Sequence, residues 1–127
     1  MRLGSRFFSA ALLASLVLAS SSLWAQEKVA DLKPLVGRWG GHITNQQGTA
    51  PIDLTINDDG SWNAITYIRP PLATKGTVNI VDGKAITKNE SDGKTGMLSL
   101  YVDGKGKETL KGTRDDGSYS TEYQRKK

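Results

Sequence analysis

The side chains that most often carry out chemistry are scarce in this chain, which has one histidine, His42, and no cysteine. A general base needs a cleft and an orienting partner, and a zinc ion needs three or four His, Cys or acidic ligands. His42 alternates with Trp39 and Gly41, and alternate residues of a strand face opposite sides. If Trp39 points inward, His42 points outward. We therefore expect no catalytic residue, no metal site and a protein that is not an enzyme.

Carboxylates are more frequent, and many of them stand beside a glycine. The segments 57–61, 90–96 and 114–118 place Asp next to Gly, but none completes the D-x-[DN]-x-[DN]-G pattern of a calcium loop. A glycosidase needs two facing carboxyl groups, whereas Asp53 and Glu122 alternate with apolar or aromatic neighbours and should face solvent. No glycine-rich loop precedes a helix, as a phosphate cradle would require. We expect no cofactor.

The Asp-Gly pairs predict turns, because both residues tolerate the backbone conformations of tight hairpins. Turn signals that recur about every ten residues are typical of consecutive antiparallel strands. Five such pairs occur, at 59–60, 82–83, 92–93, 103–104 and 116–117. The strands predicted between and around them are 37–45, 50–57, 61–68, 75–81, 84–89, 95–102, 107–114 and 118–125.

Closure of the sheet is favoured by the cost of leaving it open. An open sheet of eight strands would present two unpaired edges, and pairing the first strand with the last removes both. Small residues such as Gly41, Ala64, Gly76 and Gly112 would permit the strong coiling that closure requires. We predict an all-β, antiparallel, up-and-down meander of about eight strands that closes into a small barrel. The alternative fold that this pattern allows is a β-sandwich.

Residues 1–25 have the layout of a secretory signal peptide. Arg2 and Arg6 precede an apolar run, and small polar residues lead to Ala25, after which we place the cleavage. The run is too short for a stable membrane span. With no cysteine for disulfides, the predicted location is a bacterial periplasm or the medium outside the cell.

The mature chain is expected to form one domain. Val29, Leu32 and Leu35 are spaced as on a helix, so residues 26–36 predict a short N-terminal helix that leads into a barrel domain at 37–127. The formal net charge is +4, and the charges of the later strands alternate in sign. Nucleic-acid binding would need a basic patch or stripe, and we expect no nucleic acid as partner.

The start of the first predicted strand, Gly37-x-Trp39 behind a short lead, resembles the calycin superfamily of lipocalins and avidin-like proteins. In lipocalins this tryptophan closes the base of the barrel, and an arginine of the last strand packs across its ring. The resemblance implies a calycin-like, lipocalin-like barrel in which Gly37 and Trp39 form the closed end and Arg125 covers the indole. Segment 58–67 is similar to a hairpin of avidin-like proteins, but no tryptophan follows Lys75, so biotin binding is not implied.

The expected function is ligand binding at one end of the barrel. The residues predicted to bind a small apolar or amphipathic molecule are Trp62, Tyr67 and Arg69, which lie on the third strand and beside the proline-rich loop 69–74. The alternative is a protein-interaction module or enzyme inhibitor of the cell envelope that uses the same loop. The sequence does not indicate an oligomeric state.

Overall fold

The computed structural model describes residues 24–127. They form nine strands and one turn of 3₁₀ helix. The strands are β1 (Trp24–Glu27), β2 (Gly37–Asn45), β3 (Gly48–Ile56), β4 (Ser61–Thr66), β5 (Leu72–Val81), β6 (Lys84–Asn89), β7 (Thr95–Asp103), β8 (Glu108–Arg114) and β9 (Tyr119–Arg125), and the 3₁₀ turn is Lys33–Leu35.

Strands β2 to β9 form a closed antiparallel barrel. Each pairs with its successor, and β2 also pairs with β9, from Trp39 opposite Arg125 to Asn45 opposite Tyr119. This confirms the predicted all-β meander and its closure, so the fold is a barrel and not a sandwich. The alternation of apolar residues that predicted the strands is also the alternation of burial: Ile52, Leu54 and Ile56 of β3 all face the interior.

The ninth strand, β1, was not predicted. It pairs with residues 100–103 of β7, on the edge of β7 whose other half, residues 95–98, pairs with β6. Strands β1 and β6 therefore lie end to end along β7, and β1 covers an edge that the short β6 leaves free. The predicted signal peptide falls almost entirely outside the described residues. The predicted cleavage bond after Ala25 lies within β1.

The segment 26–36 does not form the predicted short helix. Within it, only Lys33–Leu35 makes a turn of 3₁₀ helix. Asp31 accepts a hydrogen bond from the Lys33 amide, and Pro34 has no amide with which to continue a helix. The apolar residues that suggested a helix contribute to the core instead: Val29 and Leu35 are buried, and Leu32 packs against them and the other core residues. Among residues 24–127 there is no helix with the length and hydropathy needed to cross a bilayer.

The proline-rich connection is shorter than predicted. Strand β5 begins at Leu72 rather than at residue 75, and Ala73 pairs with Ile65 of β4. The loop between β4 and β5 is therefore residues 67–71, with a cis peptide bond between Arg69 and Pro70. Prolines cannot donate to a ladder, and both of them stay in the loop, so the sheet resumes directly after Pro71.

Two glycines lie where atoms of a neighbouring strand approach the backbone too closely for a side chain. A Cβ atom on Gly41 would overlap the carbonyl of Glu122 on β9, and a Cβ on Gly76 would overlap the Lys88 carbonyl and the ring of Trp62. Gly41 lies at the β2–β9 seam that closes the barrel. The strong coiling there depends on the missing side chain.

Candidate functional site

The two ends of the barrel are built differently. The turns 57–60, 82–83 and 104–107 lie at one end, which the 3₁₀ turn also covers. We call this the floor. The turns 46–47, 67–71, 90–94 and 115–118 lie at the other end, which we call the mouth. Because strands of an antiparallel meander alternate in direction, every second turn falls at the mouth.

Trp39 forms the floor and is completely buried. Its Nε1 donates a hydrogen bond to the Leu35 carbonyl, 2.9 Å away, and its ring is covered by the guanidinium of Arg125, 4.2 Å from the ring centroid. Leu35, Ile56 and Leu110 are the other large side chains that are fully enclosed. This end of the barrel is therefore filled.

Arg125 ties the floor together. Its Nη1 and Nη2 donate to the carbonyls of Val36 (2.8 Å) and Pro34 (2.7 Å), and its Nε donates to Glu108 Oε1 (2.7 Å). The same guanidinium thus satisfies two carbonyls of the lead, pairs with a carboxylate of β8 and stacks on the indole. The side chain of Arg125 also lies against Gly37, where a Cβ would overlap its Nη1. Gly37, Trp39 and Arg125 form one structural unit.

A cavity of about 560 Å³ opens at the mouth. Its wall is apolar on the side toward the floor and largely polar toward the mouth, where Ile68 and Leu72 are the apolar residues at the loop 67–71. The apolar side chains that line it include Ile43, Ile52, Leu54, Trp62, Ala64 and Leu98. The polar ones toward the mouth include Asn45, Gln47, Asn89, Ser91, Asp92, Arg114 and Tyr119. A space of this size and polarity falls within the range of sites that hold small organic molecules.

Trp62 is the largest apolar side chain of the wall. Its Nε1 donates to the Thr77 carbonyl, 3.1 Å away, and its ring packs on Gly76, its partner on β5. The hydrogen bond and the glycine contact fix the indole against the β4–β5 ladder. Trp62 also lines the cavity, so it offers a fixed apolar surface to an occupant.

Hydroxyl side chains of four strands, β4, β5, β6 and β9, line the cavity, and we call them the hydroxyl belt. Thr66 on β4 and Thr121 on β9 are buried there with Tyr123, and Thr74 and Thr87 complete the belt. Burial raises the pKa of the Tyr123 phenol to about 12, so this group is neutral and can donate a hydrogen bond at physiological pH. The wall can therefore bond polar atoms of an occupant as well as cover its apolar part.

Charged groups at the mouth are paired. The Arg114 guanidinium bonds to Asp92 and lies 4.9 Å from the centroid of the Tyr119 ring. The amide of Lys94 also donates to Asp92 Oδ1 (2.9 Å). These hydrogen bonds, first that of the Lys94 amide and then that of Arg114, lower the pKa of Asp92.

A second set of contacts joins the turns 90–94 and 115–118. Lys94 pairs with Asp116 at 3.2 Å, and the Thr95 hydroxyl donates to Asp115 Oδ2 at 2.5 Å. The Asp115 amide donates to the Thr95 carbonyl at 3.0 Å. We call this set the turn clasp; it holds one side of the mouth in a fixed shape.

Of the three residues predicted to bind a ligand, the structure places only Trp62 in the cavity. Tyr67 is 48% exposed on the outer face, where its hydroxyl donates to Asp53 Oδ2 at 2.9 Å; this bond raises the pKa of Tyr67. Arg69 is exposed in the loop 67–71. The neighbouring Ile68 of the loop and Leu72 at the start of β5 do line the cavity, so this part of the mouth contributes apolar side chains and not the arginine.

The sequence analysis did not predict that Arg114, Tyr119 and the threonines of the hydroxyl belt line the cavity. The alternation of inward- and outward-facing residues along a strand could have indicated them. Arg114 shares a face with the buried Leu110 and Gly112 of β8, and Tyr119 shares one with Thr121 and Tyr123 of β9. Alternation thus placed all of them inside the barrel.

His42 is exposed on the outer face of β2, opposite Glu122 of β9. Within residues 24–127 there is no group of three or more His, Asp or Glu side chains placed to share a metal ion.

Comparison of the sequence with profiles of protein families, with curated proteins and with solved structures gives no match. What the chain does must therefore be inferred from the residues of the cavity.

Proposed function

We propose that this protein is a non-enzymatic carrier or receptor that binds a small amphipathic molecule in the barrel cavity. The observation that supports this is the contrast between the two ends: the floor is packed solid around Trp39, whereas the mouth opens into about 560 Å³ of unfilled space with an apolar wall. Interiors of small domains are normally close-packed. The core at the floor is packed without this open apolar cavity, and the cavity is best explained as the site of a bound molecule.

Entry past the loop 67–71 fits the same proposal. Ile68 and Leu72 are about half exposed and also line the cavity, so an apolar surface continues from the outside to the inside. An apolar molecule would lose its water gradually along this path. We further propose that the protein acts outside the cytoplasm, as the signal-like segment 1–25 indicates.

The proposal is tested by titrating the protein with N-phenyl-1-naphthylamine, a neutral probe that fluoresces in apolar surroundings. We expect saturable binding of one probe per chain. Trp62→Ala should weaken it at least about tenfold, because it removes the largest apolar surface of the wall. Ala64→Phe should abolish binding by filling the chamber. Urea unfolding of each variant confirms that it is folded.

Tyr67→Ala is the matched control, since it removes an aromatic ring from the outer face of the same hairpin. Unchanged affinity in this variant supports an internal site. If Tyr67→Ala weakens binding and Ala64→Phe does not, the probe binds outside and the proposal fails. Native mass spectrometry of protein purified from its own source gives an independent check: a stoichiometric extra mass that is lost on denaturation is the expected result.

The second candidate function is a protein-interaction module or enzyme inhibitor. It is favoured by one observation, the exposed apolar side chains beside the mouth, Ile65, Tyr67, Ile68 and Leu72, each 41–50% exposed. Clusters of this kind often mark protein contacts. The double variant Ile65→Asp, Arg69→Glu changes two exposed residues that do not line the cavity; it would then lose a partner that co-purifies with the wild type, while probe binding in the cavity stays intact.

A further inference from the structure

We propose that the occupant of the cavity carries an anionic oxygen head group, such as a carboxylate, which Arg114 binds at the mouth in exchange for its resident counter-ion, Asp92. This inference rests on the proposed function and specifies the ligand class of the same site. It begins from the charges: of the described residues that line the cavity, only Arg114 and Asp92 carry a formal charge.

Arg114 is suited to remain in place while its partner changes. Its side chain is only 13% exposed, and the ring of Tyr119 lies 4.9 Å from its guanidinium. A guanidinium has five N–H donors in a planar fork. Among the described residues, the hydrogen bond found for this group uses Nη2 alone, toward Asp92, whereas Arg125 at the floor uses Nε, Nη1 and Nη2. Donors of Arg114 are thus available to a second acceptor.

Asp92 is suited to leave. Its side chain is 38% exposed, and its other oxygen already accepts the Lys94 amide. After displacement it would keep that bond and be hydrated, at little cost for a surface carboxylate. Arg114, in contrast, is poorly hydrated and needs an anion beside it. The exchange therefore replaces an exposed anion with one that enters together with an apolar tail.

The position of Arg114 matches the polarity of the wall. It follows Leu110 and Gly112 on the inner face of β8, and it lies at the mouth end of that strand. A molecule with its anion at Arg114 would extend its tail past the hydroxyl belt toward Trp62 and Leu54, which also line the cavity. Head and tail of an amphipathic acid would both meet their preferred surroundings.

The test is displacement of N-phenyl-1-naphthylamine by three ten-carbon compounds that differ only in the head: decanoate, decanol and decylammonium. In the wild type we expect decanoate to compete at least about tenfold better than decanol, and decylammonium to compete worst. Arg114→Gln should remove the preference for decanoate while decanol competes as before. Arg114→Lys, which keeps the charge without the fork, should retain part of the preference and covers the case in which Arg114→Gln does not fold.

The variant Asp92→Asn tests whether Asp92 and the ligand compete for Arg114. If Asp92 competes for Arg114, removing its charge should strengthen decanoate binding several-fold. Asp58→Asn, which neutralises an exposed carboxylate in a turn at the floor, should leave it unchanged. Equal competition by decanol and decanoate, or weaker decanoate binding in Asp92→Asn, would overturn the inference and leave the cavity proposal standing. If neither probe nor competitors bind the wild type, both proposals fail together.

Discussion

At the floor, a single residue, Trp39, makes several kinds of stabilising contact at once. The Trp39 ring fills the barrel end, its N–H satisfies the Leu35 carbonyl, and Arg125 lies across its face. A guanidinium over an indole is worth roughly 0.5–2 kcal/mol, more when it is shielded from water. The tryptophan therefore contributes packing, a hydrogen bond and a cation contact at one position, and these interactions are lost together if it is removed.

Trp39→Ala should lower the free energy of unfolding by about 3–5 kcal/mol, because it deletes a fully buried aromatic side chain. Trp39→Phe keeps most of the ring but leaves the Leu35 carbonyl without its donor, and should cost about 1–3 kcal/mol. Urea denaturation at neutral pH measures both. A loss below about 1 kcal/mol for Trp39→Ala would contradict the assignment of this residue as the closure of the barrel.

At the scale of elements, the turns 90–94 and 115–118 carry carboxylates whose pKa values are lowered in the folded protein. Hydrogen bonds from Ser118, followed by the Lys94 ammonium, lower the pKa of Asp116 to about 2. The pKa of Asp92 is lowered as well. An unfolded Asp titrates near 3.9. Because the folded values lie below that, the stabilisation is complete above about pH 4 and is lost as the pH falls toward 2.

We expect the urea midpoint of the wild type to be constant between pH 7 and 5 and to fall between about pH 4 and 2. Asp116→Asn should show a shallower fall over that window, because one of the depressed carboxylates is gone. Asp58→Asn, in the exposed turn at the floor, is the matched control and should follow the wild type. Parallel curves for wild type and Asp116→Asn would show that the Asp116 carboxylate does not contribute to acid stability.

Elements β2 to β9 could be predicted because their signals are local. An Asp-Gly pair fixes a hairpin within four residues, and Ile52, Leu54 and Ile56 show their common face without reference to any other strand. Strand β1 gives no such signal, since it forms only where the short β6 leaves residues 100–103 of β7 unpaired. A similar limit applies to Arg114: the alternation along β8 indicates that it faces inward, but its partner Asp92 lies in the turn between β6 and β7, and the two meet only when β8 pairs with β7.

The whole molecule depends on one seam, where β2 meets β9. Gly41→Ala should destabilise the protein by about 1–3 kcal/mol, because the added methyl group overlaps the Glu122 carbonyl and the strands cannot move apart without loosening the ladder. Gly104→Ala, in a floor turn with open space around it, should stay within about 0.5 kcal/mol of the wild type. Thermal unfolding by circular dichroism compares the two. Equal stability of both variants would show that close approach at the seam is not required.

The contacts of β9 also set an order of events during folding. Arg125 reaches carbonyls 89 and 91 residues earlier in the chain, and β9 pairs with both β2 and β8. A folding chain in which only the strands up to β8 have paired is a ribbon with two free edges and an uncovered Trp39. Contacts between such distant residues form late. The cavity therefore forms in the last step of folding, when β9 is inserted. A molecule that already lies against the open ribbon would be enclosed as the barrel closes.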